Sequence, residues 1–457
     1  MELYRILIIG NGFDIAHELL TGYFDFLYAC CLVNGRKFNG KERINGKNQN
    51  YDPKKFTIEA SIKRAFEPIK DKIINNKWIN YFLDKVDRLE PLWIDLEREI
   101  FDVCSMIIDL KKGKRKISFK GKPYNKNDFA SLNLDQDNYD IKQLKEDLQN
   151  LIDILDIYLG VATSTNKKVF YKEILDYFPD YVINFNYTDT YYKIYSSLPK
   201  TDYVHGKLSD QSKKNSIVLG FNSTKEMNDD VEYAEFLKYY QMVKNKVNIN
   251  VFNVLGKGWY RFQSGGTSTI DKRYELMVFG HSLDKTDSDI LLPLIVNADK
   301  VKIYYHSEQA MSENIKHLME MIGDREKFIE YCFKSNNKIT FIQQTDKVKS
   351  EEKYNQLQTL RHFLSMGVQD KGDYDELRSY CAKNAFEKYP IIYAKLVDKL
   401  LQYMEQLSKD EDSIIDKNID DFSLIYERIG QEDILIYLSD TTRYWKMRNA
   451  KKLSKRK

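Results

Sequence analysis

The sequence lacks an excess of charge of either sign. Its 71 lysines and arginines nearly balance 68 aspartates and glutamates, which leaves a formal net charge of +3. Proteins dedicated to nucleic-acid binding usually carry a strongly positive surface. The balance therefore argues against nucleic acid as a partner. We interpret the basic stretch KMRNAKKLSKRK at 446–457 as a solvated terminus.

Paired cysteines and long apolar runs are also missing. The five cysteines form no CxxC pair and share no spacing with histidines, so we expect neither disulfides nor a metal site. No apolar stretch is long enough to span a bilayer, and the first residues lack the pattern of a signal peptide. We therefore expect a cytoplasmic protein without membrane contact.

Strand-like segments are abundant, in contrast. Seven short runs rich in β-branched and aromatic residues end in turn formers, and helical patterns separate several of them. They are RILIIG (5–10), DYVINFN (180–186), DYVHG (202–206), SIVLGF (216–221), LMVFGHS (276–282), KVKIYYH (300–306) and KITFIQQ (338–344). Apolar runs without alternation are typical of parallel sheets covered on both faces. The pattern predicts an α/β fold with a mostly parallel sheet flanked by helices.

The length of 457 residues predicts more than one domain. We expect an α/β domain over 1–345, interrupted by a helical insertion at about 34–176, and a helical C-terminal domain over 346–457. Two polar stretches of the insertion, 33–52 and 111–138, are interpreted as mobile loops.

Trp93 and Glu97 lie four residues apart in LWIDLE, on one face of an insertion helix. A core tryptophan with a salt-bridged glutamate is favoured over a role in a lid.

The first predicted strand runs into a Gly-Asn-Gly turn. Gly10 and Gly12 let a ligand approach the backbone, and the following helix N-terminus offers N–H groups to an anion. The dinucleotide fingerprint needs a third glycine where this chain has Ile15, and there is no P-loop lysine. The turn therefore excludes a standard hydride-transfer signature. A plain tight turn with Asp14 capping the helix is an equal alternative.

Polar residues and glycines concentrate where the predicted strands end. In an open α/β sheet, ligands bind beyond the carboxyl ends of the strands, so this concentration predicts a functional site. The residues are Gly10, Asn11, Gly12 and Asp14 after the first strand, Asn184, Asn186, Thr188 and Asp189 at the second, His205 and Gly206 at the third, and His281, Ser282, Asp284 and Asp287 after the fifth. His17 and Thr21 share a helix face with Asp14, directed either to this site or to solvent.

Two of these side chains are suited to catalysis. Histidine is the best proton acceptor near neutral pH, and His205, taken with its neighbours, is interpreted as a base rather than a structural residue. Asn186, with Asn184, can orient water or a ribose hydroxyl, or else satisfy loop backbone groups. Ser282 and Asp287 either cap the next helix or bind ribose and pyrophosphate.

Five motifs recur here in an order that resembles the AbiH family of bacterial phage abortive-infection proteins. They are IIGNGFDIAHELLTGYFDFL, LWIDLE, INFNYTDT, VHGKL and VFGHSLDKTDSDI, and the resemblance covers about the first two thirds of the chain. One departure concerns the residues after His17, where the family tends to have Gly-Leu-Pro-Thr and this chain has Glu-Leu-Leu-Thr. The set is also similar, more distantly, to the sirtuin-like NAD-binding fold, which has a Rossmann-like sheet.

This resemblance implies an anti-phage effector that hydrolyses NAD to nicotinamide and ADP-ribose when triggered. Asn186 and His205 would be catalytic, with His205 taking a proton from water or a ribose hydroxyl. The implied NAD-binding residues are Gly10, Asn11, Gly12, Asp14, His17, Asn184, Thr188, Gly206, Gly280, His281, Ser282 and Asp287. A homo-oligomer and a phage-derived trigger or defence partner protein are further expectations from the resemblance.

Two other functions stay open at the level of sequence. One is a nuclease or nucleotide hydrolase with a cluster of His17, His205 and His281, which the neutral charge and the lack of metal-binding carboxylates disfavour. The other is a non-enzymatic nucleotide sensor whose C-terminal helices transmit occupancy to a partner.

Overall fold

The computed structural model describes most of the chain up to residue 377. The gaps are 1–2, 45–46, 90–93, 112–117, 120–121, 124–131, 133–140, 165–167, 196–198, 211–212, 223–230, 256–272, 335–336, 371 and 374, and after 377 only 396 and 399 are described. The strands are β1 (Tyr4–Ile9), β2 (Lys41–Ile44), β3 (Lys47–Asn50), β4 (Ser118–Phe119), β5 (Lys122–Pro123), β6 (Tyr181–Asn184), β7 (Lys200–Tyr203), β8 (Tyr274–Phe279), β9 (Lys300–Tyr305) and β10 (Ile339–Gln343).

The described helices fall into three stretches of the chain. The first βα unit and the insertion hold α1 (Asn11–Ala16), α2 (Tyr23–Asn34), α3 (Glu59–Phe66), α4 (Lys70–Ile74), α5 (Lys77–Leu89), α6 (Leu96–Lys111) and α7 (Ile141–Ala162). Between the later strands lie α8 (Lys172–Tyr177), α9 (Thr190–Ile194), α10 (Lys238–Lys244), α11 (Val251–Leu255), α12 (Ser288–Asn297), α13 (Glu308–Ile322) and α14 (Arg325–Ile329), and α15 (Glu351–Met366) follows the last one.

Six strands form one parallel sheet. Their order is β10-β9-β8-β1-β6-β7, and every neighbouring pair runs parallel. Counted along the chain among these six, the order is 6-5-4-1-2-3, which is the doubly wound order of Rossmann folds. The predicted fold class, a Rossmann-like parallel sheet flanked by helices, is confirmed.

The central strand β1 is buried on both faces, as its unbroken apolar run predicts. Ile6 and Ile8 belong to a core shared with Leu291 and Leu294 of α12. Leu7, which faces the other way, is fully buried as well. Burying an aliphatic side chain contributes about 1.5–3 kcal/mol, so this strand anchors the sheet.

The register of β1 determines which loops meet. Ile9, its last residue, is paired with Asn184 of β6 on one side and with Phe279 of β8 on the other. The loops that begin at Gly10, Phe185 and Gly280 therefore leave the same edge of the sheet side by side. Successive strands are added on one side of β1 up to β7 and on its other side from β8 onward. Doubly wound proteins bind ligands at the point where the strand order switches in this way.

A second core lies among the helices of the insertion and also holds residues from later in the chain, among them Phe221 and Phe236. Helices α2 to α7 bury Phe26, Trp78, Ile100 and Leu151 together, as the amphipathic patterns predict. One prediction for this region is wrong: the first polar stretch is not a loop throughout, because β2 and β3 pair as an antiparallel hairpin. Asn-Gly at 45–46, a common hairpin signal, was the available clue. The second polar stretch lies largely outside the described residues.

Segment 216–221 corrects a second prediction, because it is not a strand of the sheet. It runs extended beside residues 205–207, which follow β7, and Val218 donates to the carbonyl of His205 at 2.8 Å. At its end only an isolated bridge joins Phe221 to Leu237. Its apolar residues Ile217 and Leu219 face the core of the insertion instead.

Within the described part of the chain, no helix is both long and apolar enough to cross a membrane. The chain is helical again at α15, as predicted after residue 346. Beyond residue 377 the proposed C-terminal domain lies almost entirely outside the described residues, and the predicted domain boundaries stay a prediction.

Candidate active site

The glycine turn packs against the loop that follows β8. A Cβ added to Gly12 would lie 2.8 Å from the carbonyl oxygen of Gly280, and one added to Gly10 would lie 2.9 Å from the same atom. Gly280 itself has φ +67°, and a Cβ there would overlap the backbone of Gly12 and Phe13. These glycines are required for the close contact of the two loops at the centre of the sheet.

Asparagines after β6 tie the third loop to this pair. Asn186 donates its side-chain amide to the carbonyl of Gly10 at 2.9 Å, and its own N–H donates to Oδ1 of Asn184 at 2.8 Å. Asn184 also donates to the carbonyl of Thr188 at 2.8 Å. Both amides therefore hold loop backbone in place, and a contact of Asn186 with substrate stays a prediction.

Asp14 does not cap the first helix. The N-cap position of α1 is Gly10, and Asp14 instead accepts a hydrogen bond from the Thr188 hydroxyl at 2.6 Å. Its other carboxylate oxygen is buried without a partner among the described residues. Burial raises the pKa of Asp14 to about 6, so this carboxyl is half protonated near pH 6.

His17 is placed in the interior, with both ring nitrogens occupied. Nδ1 donates to the carbonyl of Phe13 at 2.7 Å, and Nε2 lies 2.7 Å from the Tyr195 hydroxyl. Burial lowers its pKa to about 4, so the ring is neutral and Nε2 accepts from the tyrosine. Its neighbours do not include His205 or His281, so the three histidines do not form one cluster.

The other two histidines meet at Asp287. His205 Nε2 lies 3.1 Å from Oδ1 of Asp287, and His281 Nε2 lies 3.6 Å from Oδ2. Lys238 of α10 forms an ion pair with the same Oδ1. All four side chains are at most 10 % exposed, so this charged group is buried beneath the strand ends.

The hydrogen bonds identify the tautomers of both rings. A carboxylate only accepts, so His205 carries its proton on Nε2 and Nδ1 is its basic nitrogen. His281 Nδ1 accepts from the N–H of Leu283 at 2.9 Å, which places its proton on Nε2, toward Asp287. The geometry is that of a histidine base oriented by a carboxylate.

Charges in this group are strongly coupled. Burial acts to raise the pKa of Asp287, but Lys238 and His205 outweigh it and hold that pKa well below its usual range. Burial lowers the pKa of His205, and the charge of Lys238 lowers it further. Burial opposes the charge on Lys238, whereas Asp287 and Glu97 act to raise its pKa. The resulting state is an ionised Asp287–Lys238 pair beside a neutral His205.

Two residues of this site were not predicted as ligands or catalysts. Lys238 belongs to no recognisable motif of the sequence, and nothing in its short helix α10 indicates a role in a site. Glu97 of α6 lies beside the group, where burial raises its pKa to about 8 and Lys238 exerts the largest charge effect. Unlike the buried group, Glu97 is partly exposed. Its predicted companion Trp93 lies outside the described residues.

The remaining candidates lie around this centre. Gly206 has φ +80°, and a Cβ there would overlap the carbonyl of Ser216. Asn11 accepts a hydrogen bond from Thr21 at 2.9 Å. Ser282 is exposed, and its carbonyl accepts from His317 Nδ1 at 2.7 Å. Asp287 precedes α12, but its side chain makes no cap hydrogen bond there.

Comparison with known proteins assigns a family to this arrangement. Residues 6–307 match the family model described as Bacteriophage abortive infection AbiH. The chain belongs to the AbiH family. No curated protein and no solved structure matches the chain significantly.

The matched range of the AbiH family runs from β1 to just beyond β9, so it contains all the site residues named above. The family's description places this protein in phage abortive infection. Among the described residues, no group of three or more histidine, cysteine or acidic side chains is arranged to hold a metal ion.

Proposed function

We propose that this AbiH protein acts in abortive infection by hydrolysing NAD to nicotinamide and ADP-ribose. The observation that carries the proposal is the His205–Asp287 pair, buried at the carboxyl ends of a doubly wound parallel sheet. Dinucleotides bind at this edge of such sheets. The pair lies beyond the same strand ends as the glycine turn and Asn186.

His205 would act as the general base. Its Nε2 is held by Asp287, which leaves Nδ1 to accept a proton from water or from a ribose hydroxyl. Water then adds to the anomeric carbon of the ribose as the bond to nicotinamide breaks. The electron pair of that bond stays with the nicotinamide nitrogen, which leaves as a neutral ring and needs no acid.

Acidic groups beside the histidines suit this reaction. Asp95 and Asp284 lie close enough to influence one another and Glu97, which lies beside the Asp287–Lys238 pair. The glycosidic bond of NAD joins a cationic pyridinium to a ribose that becomes oxocarbenium-like, and carboxylates favour such positive charge. We place the pyrophosphate away from these acids, near Gly10 and Gly12.

A phosphodiesterase is the second candidate, because two histidines and a lysine lie together. A phosphodiesterase site needs a cationic side chain that can bind the phosphate of the substrate. Lys238 is buried and bound to Asp287, and the neighbouring Asp95 and Asp284 repel a polyanion. These contacts favour cleavage at a cationic centre over cleavage of a nucleic acid.

The test uses the purified full-length chain with NAD, in the presence and absence of a phage lysate as a source of trigger. Release of nicotinamide is followed by chromatography. A positioned base contributes about 10²–10⁴-fold, so His205→Ala should lose that factor, while His306→Ala, an exposed histidine at the end of β9, should not. Equal activity of His205→Ala and the parent would refute the assignment of the base.

Size-exclusion chromatography of the same samples tests the proposed homo-oligomer and any partner supplied by the lysate. Binding of NAD without turnover in all conditions would favour the sensor function instead.

A further inference from the structure

Lys238 has no assigned role, yet it is among the most deeply buried polar groups described. Its side chain is 3 % exposed, and its ammonium group shares Oδ1 of Asp287 with Nε2 of His205. Burying a lysine and an aspartate costs several kcal/mol that a well-packed apolar pair would not cost. Stability alone therefore does not explain why a lysine and an aspartate are buried together at this position.

The backbone holds Lys238 in fixed register with His205. The N–H of Lys238 donates to the carbonyl of Phe221 at 2.9 Å, and Gln241, one turn later, exchanges two hydrogen bonds with the backbone of Leu219 at 2.8 and 3.1 Å. In the same segment Val218 donates to the carbonyl of His205 at 2.8 Å. The extended segment 216–221 thus links α10 to the loop that carries the histidine.

A carboxylate that binds a histidine on its own favours the protonated ring, because the negative charge stabilises the imidazolium. Such a ring has no free lone pair and accepts no proton. A lysine on the same oxygen cancels most of that effect. Asp287 can then orient the His205 ring without charging it.

We propose that Lys238 is a positioning residue that keeps His205 in its neutral, proton-accepting form through the shared oxygen of Asp287. The inference rests on the proposed function in taking His205 as the base. The ionisable groups around His205 are Asp287, His281 and Asp289 after β8, Lys238 on α10, and Tyr187 after β6. Of these, Lys238 is the one whose positive charge opposes protonation at all pH values below 10.

The test compares Lys238→Met with Lys238→Arg and with Lys244→Met, a change of the same kind at an exposed position of the same helix. The protonation of His205 is followed by NMR on protein labelled at its six histidines, with His205→Ala providing the assignment. This measurement needs no NAD turnover, so its outcome is independent of the proposed reaction.

In the parent, His205 should titrate below about pH 6.5, the ordinary value for histidine. In Lys238→Met the midpoint should rise by about one unit or more, whereas Lys238→Arg and Lys244→Met should stay near the parent. The kcat/KM for NAD at pH 6 should then fall about tenfold in Lys238→Met and recover toward pH 8.

A midpoint in Lys238→Met equal to or below that of the parent would overturn the inference. If Lys238→Met does not fold, Lys238→Gln takes its place, because it keeps a hydrogen-bond donor to Asp287 without the charge and should raise the midpoint in the same way. A raised midpoint in a protein that does not hydrolyse NAD would support the inference and refute the proposed function.

Discussion

Replacing Asp287 by asparagine tests whether the buried group is an interdependent unit. The amide keeps the size of the carboxyl but removes its charge, so Lys238 is left as a buried cation without a counter-ion. Removing one partner of a buried ion pair costs about 3–5 kcal/mol. Asp287→Asn should lose that amount in urea unfolding at pH 7, followed by circular dichroism.

The double variant gives the sharper result. Lys238→Met removes the orphaned charge, so Asp287→Asn combined with Lys238→Met should regain part of the lost stability. The exposed pair Glu59–Lys63 serves as the control, and Glu59→Gln should change stability much less. A double variant less stable than Asp287→Asn alone would refute the claim that charge pairing, rather than packing, makes Asp287 important.

The pH dependence of this contribution has a definite sign. The folded-state pKa of Asp287 is held well below that of the unfolded chain, mainly by Lys238 and His205 against the effect of burial. Its stabilisation is therefore fully present above about pH 4 and is lost as the pH falls below that value. The stability difference between the parent and Asp287→Asn should shrink in the same window.

Three further changes test the surroundings of this group. His17, with a folded pKa of about 4 against 6.5 unfolded, stabilises fully above pH 6.5 and loses about 3 kcal/mol as the pH falls to 4. His17→Gln should flatten the acid dependence of unfolding, and an unchanged slope would contradict the neutral buried ring. Glu97, with a pKa of about 8, is protonated at pH 7, so Glu97→Gln should turn over NAD within a few-fold of the parent while Glu97→Ala loses more. Equal losses in both would show that the ionised form is needed. Gly280→Ala should destabilise more than Gly323→Ala, since both have positive φ, which costs about 1–2 kcal/mol, but only Gly280 lies against another backbone. Equal losses at the two glycines would argue against the close contact of the loops.

The meeting of the strand ends could be predicted from sequence. Gly10, Asn186, His205 and Asp287 each follow a buried apolar run, and parallel strands deliver their carboxyl ends to one edge. Helical periodicity likewise predicted the helices between β1 and β6. Strand ends and helices can be predicted in this way because they depend on patterns of neighbouring residues, which one sequence is enough to show.

The partners of those residues could not be predicted, since they depend on tertiary contacts. Lys238 stands among apolar and aromatic residues outside any motif, and nothing in the local sequence identifies it as a partner of Asp287 until α10 is placed beside that carboxylate. For His17, the spacing from Asp14 predicted a helix face that lines the pocket. In the structure both of its ring nitrogens are hydrogen-bonded, one to the carbonyl of Phe13 and the other to the hydroxyl of Tyr195. The strand predicted at 216–221 failed because its apolar residues face the insertion core rather than the sheet core.

We propose that this AbiH protein breaks the glycosidic bond of NAD with water. The most direct measurement is mass spectrometry of the products formed from NAD in ¹⁸O-labelled water, with phage lysate as the trigger. We expect nicotinamide and ADP-ribose in equal amounts, with one ¹⁸O on the ribose carbon that carried nicotinamide and a large loss of product in His205→Ala. Intact NAD under all conditions, or products labelled on phosphorus instead, would contradict it.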